Sequence, residues 1–145
     1  FGRAAGLDRL CARVALAAAA DPRRTTLILA AHGSGRGGPL ARASADGARA
    51  MAARIGHLAP FGRVLTGFVE EEPFLWRLAR GPGRAPAVCL PFFALRAGHV
   101  AADVPQALSA AGFSGTLLPA IGEHPDVPGL IAAALLSARP TARPR

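Results

Sequence analysis

Lysine, asparagine and tyrosine are absent from this chain of 145 residues. All of its side-chain cations other than histidine are arginines, 17 of them against 9 acids, for a formal net charge of +8. One tryptophan and seven phenylalanines are the whole aromatic stock. So few rings offer little for bases to stack on, and the arginines are scattered rather than gathered on one element, so no nucleic-acid partner is expected. Arg42, Asp46 and Arg49 alternate in sign along one helical face, the pattern of a solvated surface. With alanine everywhere and no lysine, part of the arginine excess reflects nucleotide bias in the source genome. What remains favours an acidic small molecule as partner. No apolar run is long enough to cross a bilayer and no cleavable signal pattern opens the sequence, so no membrane partner is expected. The two cysteines, Cys11 and Cys89, form no C-x-x-C pair and read as reduced core thiols of a cytoplasmic protein.

Four short apolar runs stand out: Thr26–Ala31, Arg63–Val69, Ala87–Ala94 and Gly115–Ile121. Each leads into a helical pattern or a proline-led turn. Leu40, Ser44, Gly47, Met51 and Ile55 recur at helical spacing after the first, and a short helix is expected within Pro73–Arg80 after the second. Val104, Leu108 and Ala111 mark a third, with Asp103 as N-cap and Pro105 in its first turn, and Asp126–Ser137 makes a fourth. Four alternations of strand and helix predict an α/β fold, a parallel sheet with helices on both faces, which binds ligands at the carboxyl ends of its strands. The ends differ in kind. "FGRAAGLDRLCARVAL" and "IGEHPDVPGLIAAAL" follow one plan, an apolar residue and Gly ahead of an alanine-rich helix. Residues 1–24 are therefore expected to be the last helix and linker of a preceding copy, 25–138 the domain itself, and 139–145 a disordered tail.

His32 falls directly after the first run, Glu70 with Glu71 and Glu72 after the second, and His99 beyond the third. Alone, such a histidine would cap a helix, and three adjacent glutamates would be a solvated charge run. Delivered together to one rim, two imidazoles and a carboxylate suit a divalent first-row metal held loosely enough to pass on. The glycines from Gly33 to Gly38 also satisfy G-x-G-x-x-G between strand and helix, with Glu70 placed for ribose hydroxyls, so a dinucleotide-binding domain is the competing reading. It fits less well. His32 occupies the tight turn, Pro39 follows the last glycine at once, and His99 goes unexplained.

In order, "LILAAHGSGRGG", "GFVEEEPFL", "CLPFFALRAGHVAADVPQAL" and "IGEHPDVPGLI" resemble the class II tetrapyrrole chelatases, the sirohydrochlorin cobaltochelatase and ferrochelatase group. The resemblance runs from about Thr25 to Leu136. It implies a three-layer α/β/α fold on a four-stranded parallel sheet. It also implies insertion of a divalent metal (Co2+, or Fe2+ or Ni2+) into sirohydrochlorin or a related tetrapyrrole, without ATP or any nucleotide, in cobalamin or siroheme biosynthesis. Its members occur as half-domains that dimerise or as fused pairs, which implies a second half-domain as partner, in cis or as a homodimer mate. The family's metal-binding and catalytic histidines fall on His32 and His99, and its acidic partner on Glu70. The spacing to Pro73 departs slightly from the family's, so Glu71 or Glu72 could face inward instead; on a strand Glu70 and Glu72 would share a face. Ser34, Arg36, Phe93 and Arg96 would bind the anionic macrocycle, the arginines as charge-assisted partners of its carboxylates. One of Phe92 and Phe93 is expected in the core and the other toward the ring. A non-catalytic tetrapyrrole- or metal-binding half is the alternative within the resemblance. His124 is expected to order its turn and His57 to lie on the surface.

Overall fold

The computed structural model describes residues 2, 4–33, 38–81, 85–95 and 99–137, the side chains of 39–41 and 99–100 excepted. The expected tail, 139–145, lies outside them. Four parallel strands form one sheet: β1 (Thr26–Ala31), β2 (Arg63–Phe68), β3 (Ala87–Pro91) and β4 (Thr116–Leu117), in the order β2-β1-β3-β4. The first run became a strand with the bounds read from the sequence, and it lies at the centre, every residue buried. Its alternation divides the core. Leu27 and Leu29 face one layer with Val88 and Leu90 of β3, while Ile28 and Ala30 face the other with Cys89.

The first layer holds α1 (Leu7–Ala17) and α2 (Pro39–Leu58). Leu7, Leu10, Cys11, Ala12 and Ala15 of α1 are buried in the same cluster as Met51, Ala52 and Ile55 of α2. The stripe expected on α2 is shifted in part: Ser44 is exposed, and Ala45 and Ala48 fill the core beside Phe68. The opposite layer holds the short α3 (Leu75–Leu78) and α4 (His99–Ala110), which contribute Leu75, Val104 and Leu108. Asp103 is no N-cap and Pro105 no first-turn residue, since both lie inside α4. Burial of Val104 and Leu108 sustains a helix that begins ahead of that local start signal. The last helix, α5 (Val127–Ser137), follows a 3-10 turn at Ile121–Glu123. Two layers of helix on a four-stranded parallel sheet make the expected α/β/α fold. No helix among the described residues is long and apolar enough to cross a membrane.

Both cysteines are buried and unpaired, one in each layer. Burial pushes each thiol from its ordinary value of 9.0 up to about 12, with Asp8 adding to the effect at Cys11. The folded state therefore keeps its thiol protons where the unfolded chain loses them. The stabilisation is complete below pH 9 and disappears as pH rises toward 12. The absent lysines and tyrosines would have titrated over that interval, which leaves it to the thiols. We expect the midpoint in urea to fall between pH 9 and 11.5 in the parent, with a shallower fall in the Cys11→Ala/Cys89→Ala chain.

Candidate functional site

Parallel strands place all their carboxyl ends on one rim, and the residues just beyond them form the site. Two backbone hydrogen bonds extend the β1–β2 pairing past the strands. Val69 N–H donates to the Ala31 carbonyl at 3.1 Å and Glu70 N–H to that of His32 at 3.0 Å. This zipper carries Glu70 to His32, with Oε2 at 3.6 Å from Nδ1, the range of an ion pair rather than a hydrogen bond. Nδ1 also lies 3.2 Å from the carbonyl oxygen of Gly33. The Gly33 carbonyl can only accept, so in that contact Nδ1 carries the hydrogen. The two side chains stand half in water, 41% and 50% exposed.

The other two glutamates are tied elsewhere. The strand ends at Phe68, and the period-two argument that put Glu70 and Glu72 on one face ends with it. Arg49 of α2 stacks over the Phe68 ring at 4.7 Å and donates to Glu71 at 3.2 Å and to Asp46 at 3.3 Å. Glu72 accepts from Arg77 at 2.7 Å and from the Phe74 amide at 3.3 Å, and the Phe68 amide closes the loop on the Pro73 carbonyl. Gly33 makes the facing turn with φ +75, where a Cβ would sit 2.7 Å from Cγ of Glu71. Replacing Arg49 by Ala should cost about 1 kcal/mol in urea unfolding, the sum of an exposed stacking contact and a screened ion pair. Lysine in its place should restore little, because it lacks the planar fork.

Beside His32 opens a recess of about 480 Å3, walled by Ser44 and Gly47 of α2 and by Phe92 and Phe93 beyond β3. Both phenylalanines are half-buried and pack on opposite layers of the core. Strand alternation does not divide them into a core ring and a site ring, because β3 ends at Pro91. His99 is the first residue of α4, reached after the exit of β3, and only its main chain is described. Ser34, Arg36 and Arg96 lie outside the described residues. Among those described, His32 and Glu70 are the metal-binding types that the fold brings together here, and no group of three such side chains occurs. His124 orders its turn, its Nδ1 accepting from the Asp126 amide at 3.2 Å, and His57 is exposed in the last turn of α2. Sequence reasoning read Arg49 only as part of a solvated helical face and missed its contacts with Phe68 and Glu71, which lie outside α2.

The family model CbiX matches residues 26–138. Among solved structures the chain is similar to CbiX, described as the terminal enzyme for biosynthesis of siroheme in denitrifying bacteria. That likeness has 43% identity, a TM-score of 0.80 and coverage of 96% of this chain and 60% of that one. The chain thus spans about three fifths of that relative's length. It resembles a cobalamin-biosynthesis CbiX protein of Marinobacter aquaeolei at 22% identity and TM-score 0.60, covering 78% of this chain and 95% of that one. It also resembles SirB of Bacillus subtilis, solved with Fe3+, at 12% identity and TM-score 0.70, covering 90% and 52%. At such identities these last two speak to the fold. No curated protein sequence matches the chain.

Proposed function

We propose a function from the premise that this chain belongs to the CbiX family of class II chelatases: it inserts a divalent metal, Co2+ first and Fe2+ or Ni2+ as alternatives, into sirohydrochlorin or a related tetrapyrrole. The observation that carries this reading is the placement of His32 against Glu70 at the open rim beside a recess bounded by two phenylalanines.

Insertion requires three things: the ion must shed water, the macrocycle must bend to expose nitrogen lone pairs, and two pyrrole protons must leave. Nε2 of His32 serves the first and third as a ligand or as a base. Glu70 holds its charge opposite Nδ1, which steadies the ring. His99, at the start of α4, is assigned as the second imidazole. Phe93 supplies an apolar contact for one edge of the ring, and binding energy placed on a bent macrocycle favours the transition state. Sirohydrochlorin carries eight carboxylates, which suit a chain of net charge +8 and the arginines at Arg36 and Arg96. Ser34 is assigned to substrate binding with them. Entry of M2+ is balanced by loss of two protons, and the likeness to class II chelatases supports insertion without a nucleotide.

The role of the CbiX relative in siroheme biosynthesis and the Fe3+ in SirB support a site for first-row metals on this fold. Nitrogen and oxygen donors discriminate weakly among such ions, so availability decides between cobalamin and siroheme as end product. The test is anaerobic: sirohydrochlorin and Co2+ are mixed with the chain and the visible spectrum is followed against the uncatalysed rate. Acceleration supports the chelatase; a background rate from a folded chain leaves a binding half-domain.

A further inference from the structure

Three adjacent acids follow β2, and the fold treats them unequally. Glu70 and Glu72 expose 50% and 58% of their side chains, Glu71 only 23%. Part of its cover is the turn after His32. Gly33 stands so close to Glu71 that a Cβ there would meet Cγ at 2.7 Å and Cδ at 3.2 Å. The Gly33 carbonyl in turn faces Nδ1 of the His32 ring. Glu71 therefore neighbours both members of the rim pair: it follows Glu70 in the chain and lies against the residue that follows His32.

A cation from α2 holds it. Arg49 donates through Nη2 to Oε1 of Glu71 at 3.2 Å and through Nη1 to Oδ1 of Asp46 at 3.3 Å. Its guanidinium rests over the ring of Phe68, a wholly buried residue at the end of β2. The head group is thus fixed by the core, by its own helix and by the acid it draws in. A solvated helix face needs no such anchoring, because ordering a long side chain there offsets most of what an exposed ion pair contributes.

We infer that Arg49 is a positioning residue for the proposed metal site: by drawing Glu71 aside, it keeps a second carboxylate from joining His32 and Glu70 around the ion. The role so assigned rests on the chelatase reading for its purpose. A carboxylate is a hard, charged donor, and each one added to a site strengthens its hold on a divalent ion. Every bond from ion to protein must break when the ion passes to the macrocycle. One carboxylate serves capture, and a second would oppose transfer. In the insertion assay, loss of Arg49 should therefore lower KM for the metal and kcat together.

A cycle of four chains tests it: the parent, Arg49→Met, Glu71→Gln and the double variant, with Co2+ alone as the probe. Methionine keeps an unbranched stem over Phe68. The ion is paramagnetic and shifts or broadens the ring-proton signals of a histidine it binds, even when it binds weakly. Of the four histidines, the signals of His32 are identified by their loss in His32→Ala. Arg49→Met should lower the dissociation constant at His32 by about tenfold, the scale on which groups behind metal ligands act. Glu71→Gln should change that constant by less than about twofold in the parent, yet reverse the whole gain in Arg49→Met, a coupling that a general field effect does not produce. Equal effects of Glu71→Gln in both backgrounds, no tightening in Arg49→Met, or no Co2+ at His32 in any chain overturns the proposal. A parent that binds Co2+ at His32 but inserts none removes the chelatase reading, while the four constants still decide what Arg49 does.

Discussion

His32→Ala should slow metal insertion by a factor of about 100 or more, the usual contribution of a positioned proton-transfer group. Stability should barely change, because the ring is half-exposed and its nearest polar neighbours can turn to water; the expected shift is within about 0.5 kcal/mol. That separation makes the substitution informative. Glu70→Gln should be milder, about tenfold or somewhat more, because it removes the charge opposite Nδ1 without removing the imidazole. It should also raise the metal requirement less than His32→Ala does. Initial rates across a series of Co2+ concentrations, with urea melts on the same samples, check both. A His32→Ala chain with the parent's rate would remove His32 from the mechanism and leave the rim as a binding surface only.

Gly122→Ala should be the most damaging single methyl in the described chain. Its Cβ would stand 2.0 Å from the Ala94 carbonyl oxygen and 2.5 Å from that of Phe93, both main-chain atoms. A flexible side chain can swing away, but these carbonyls belong to the segment leaving β3, and Gly122 N–H donates to one of them at 2.9 Å. Something must separate, and the loss should reach about 3 kcal/mol, the upper part of the range for overpacking. Gly129→Ala is the control. It lies in α5 with open space around its Cβ position, and there a methyl removes the conformational cost of a helical glycine. Urea midpoints should fall steeply for the first and hold or rise for the second. Because Phe93 and Ala94 line the recess beside His32, Gly122→Ala should also weaken substrate binding under conditions where the chain remains folded.

The central strand was legible because five apolar residues between Thr26 and His32 leave no other structure for the run. The fourth was less so. Gly115–Ile121 is apolar enough for a strand, yet only Thr116 and Leu117 pair, at the sheet edge, since hydrophobicity measures burial and not partnership. At the rim, the chemistry was readable but its geometry was not. Alternation would have paired Glu70 with Glu72, and it fails because the chain leaves the strand at Phe68. Which carboxylate meets His32 is decided by Arg49 and Arg77, each drawing one neighbour away. Such a decision lies in contacts between elements and leaves no periodic trace.

The half-exposed pair of His32 and Glu70 has a consequence for timing. In the proposed site, the few donors at an open rim hold an ion far more weakly than a closed four-donor cage, and weak holding means rapid release. An ion that leaves quickly does not travel with the protein through purification or dilution. It must be taken up afresh in every turnover, so the initial velocity should climb in proportion to the free ion over a wide span before it levels. The chain would then behave as a conduit whose throughput follows the supply outside it, with no reservoir of its own.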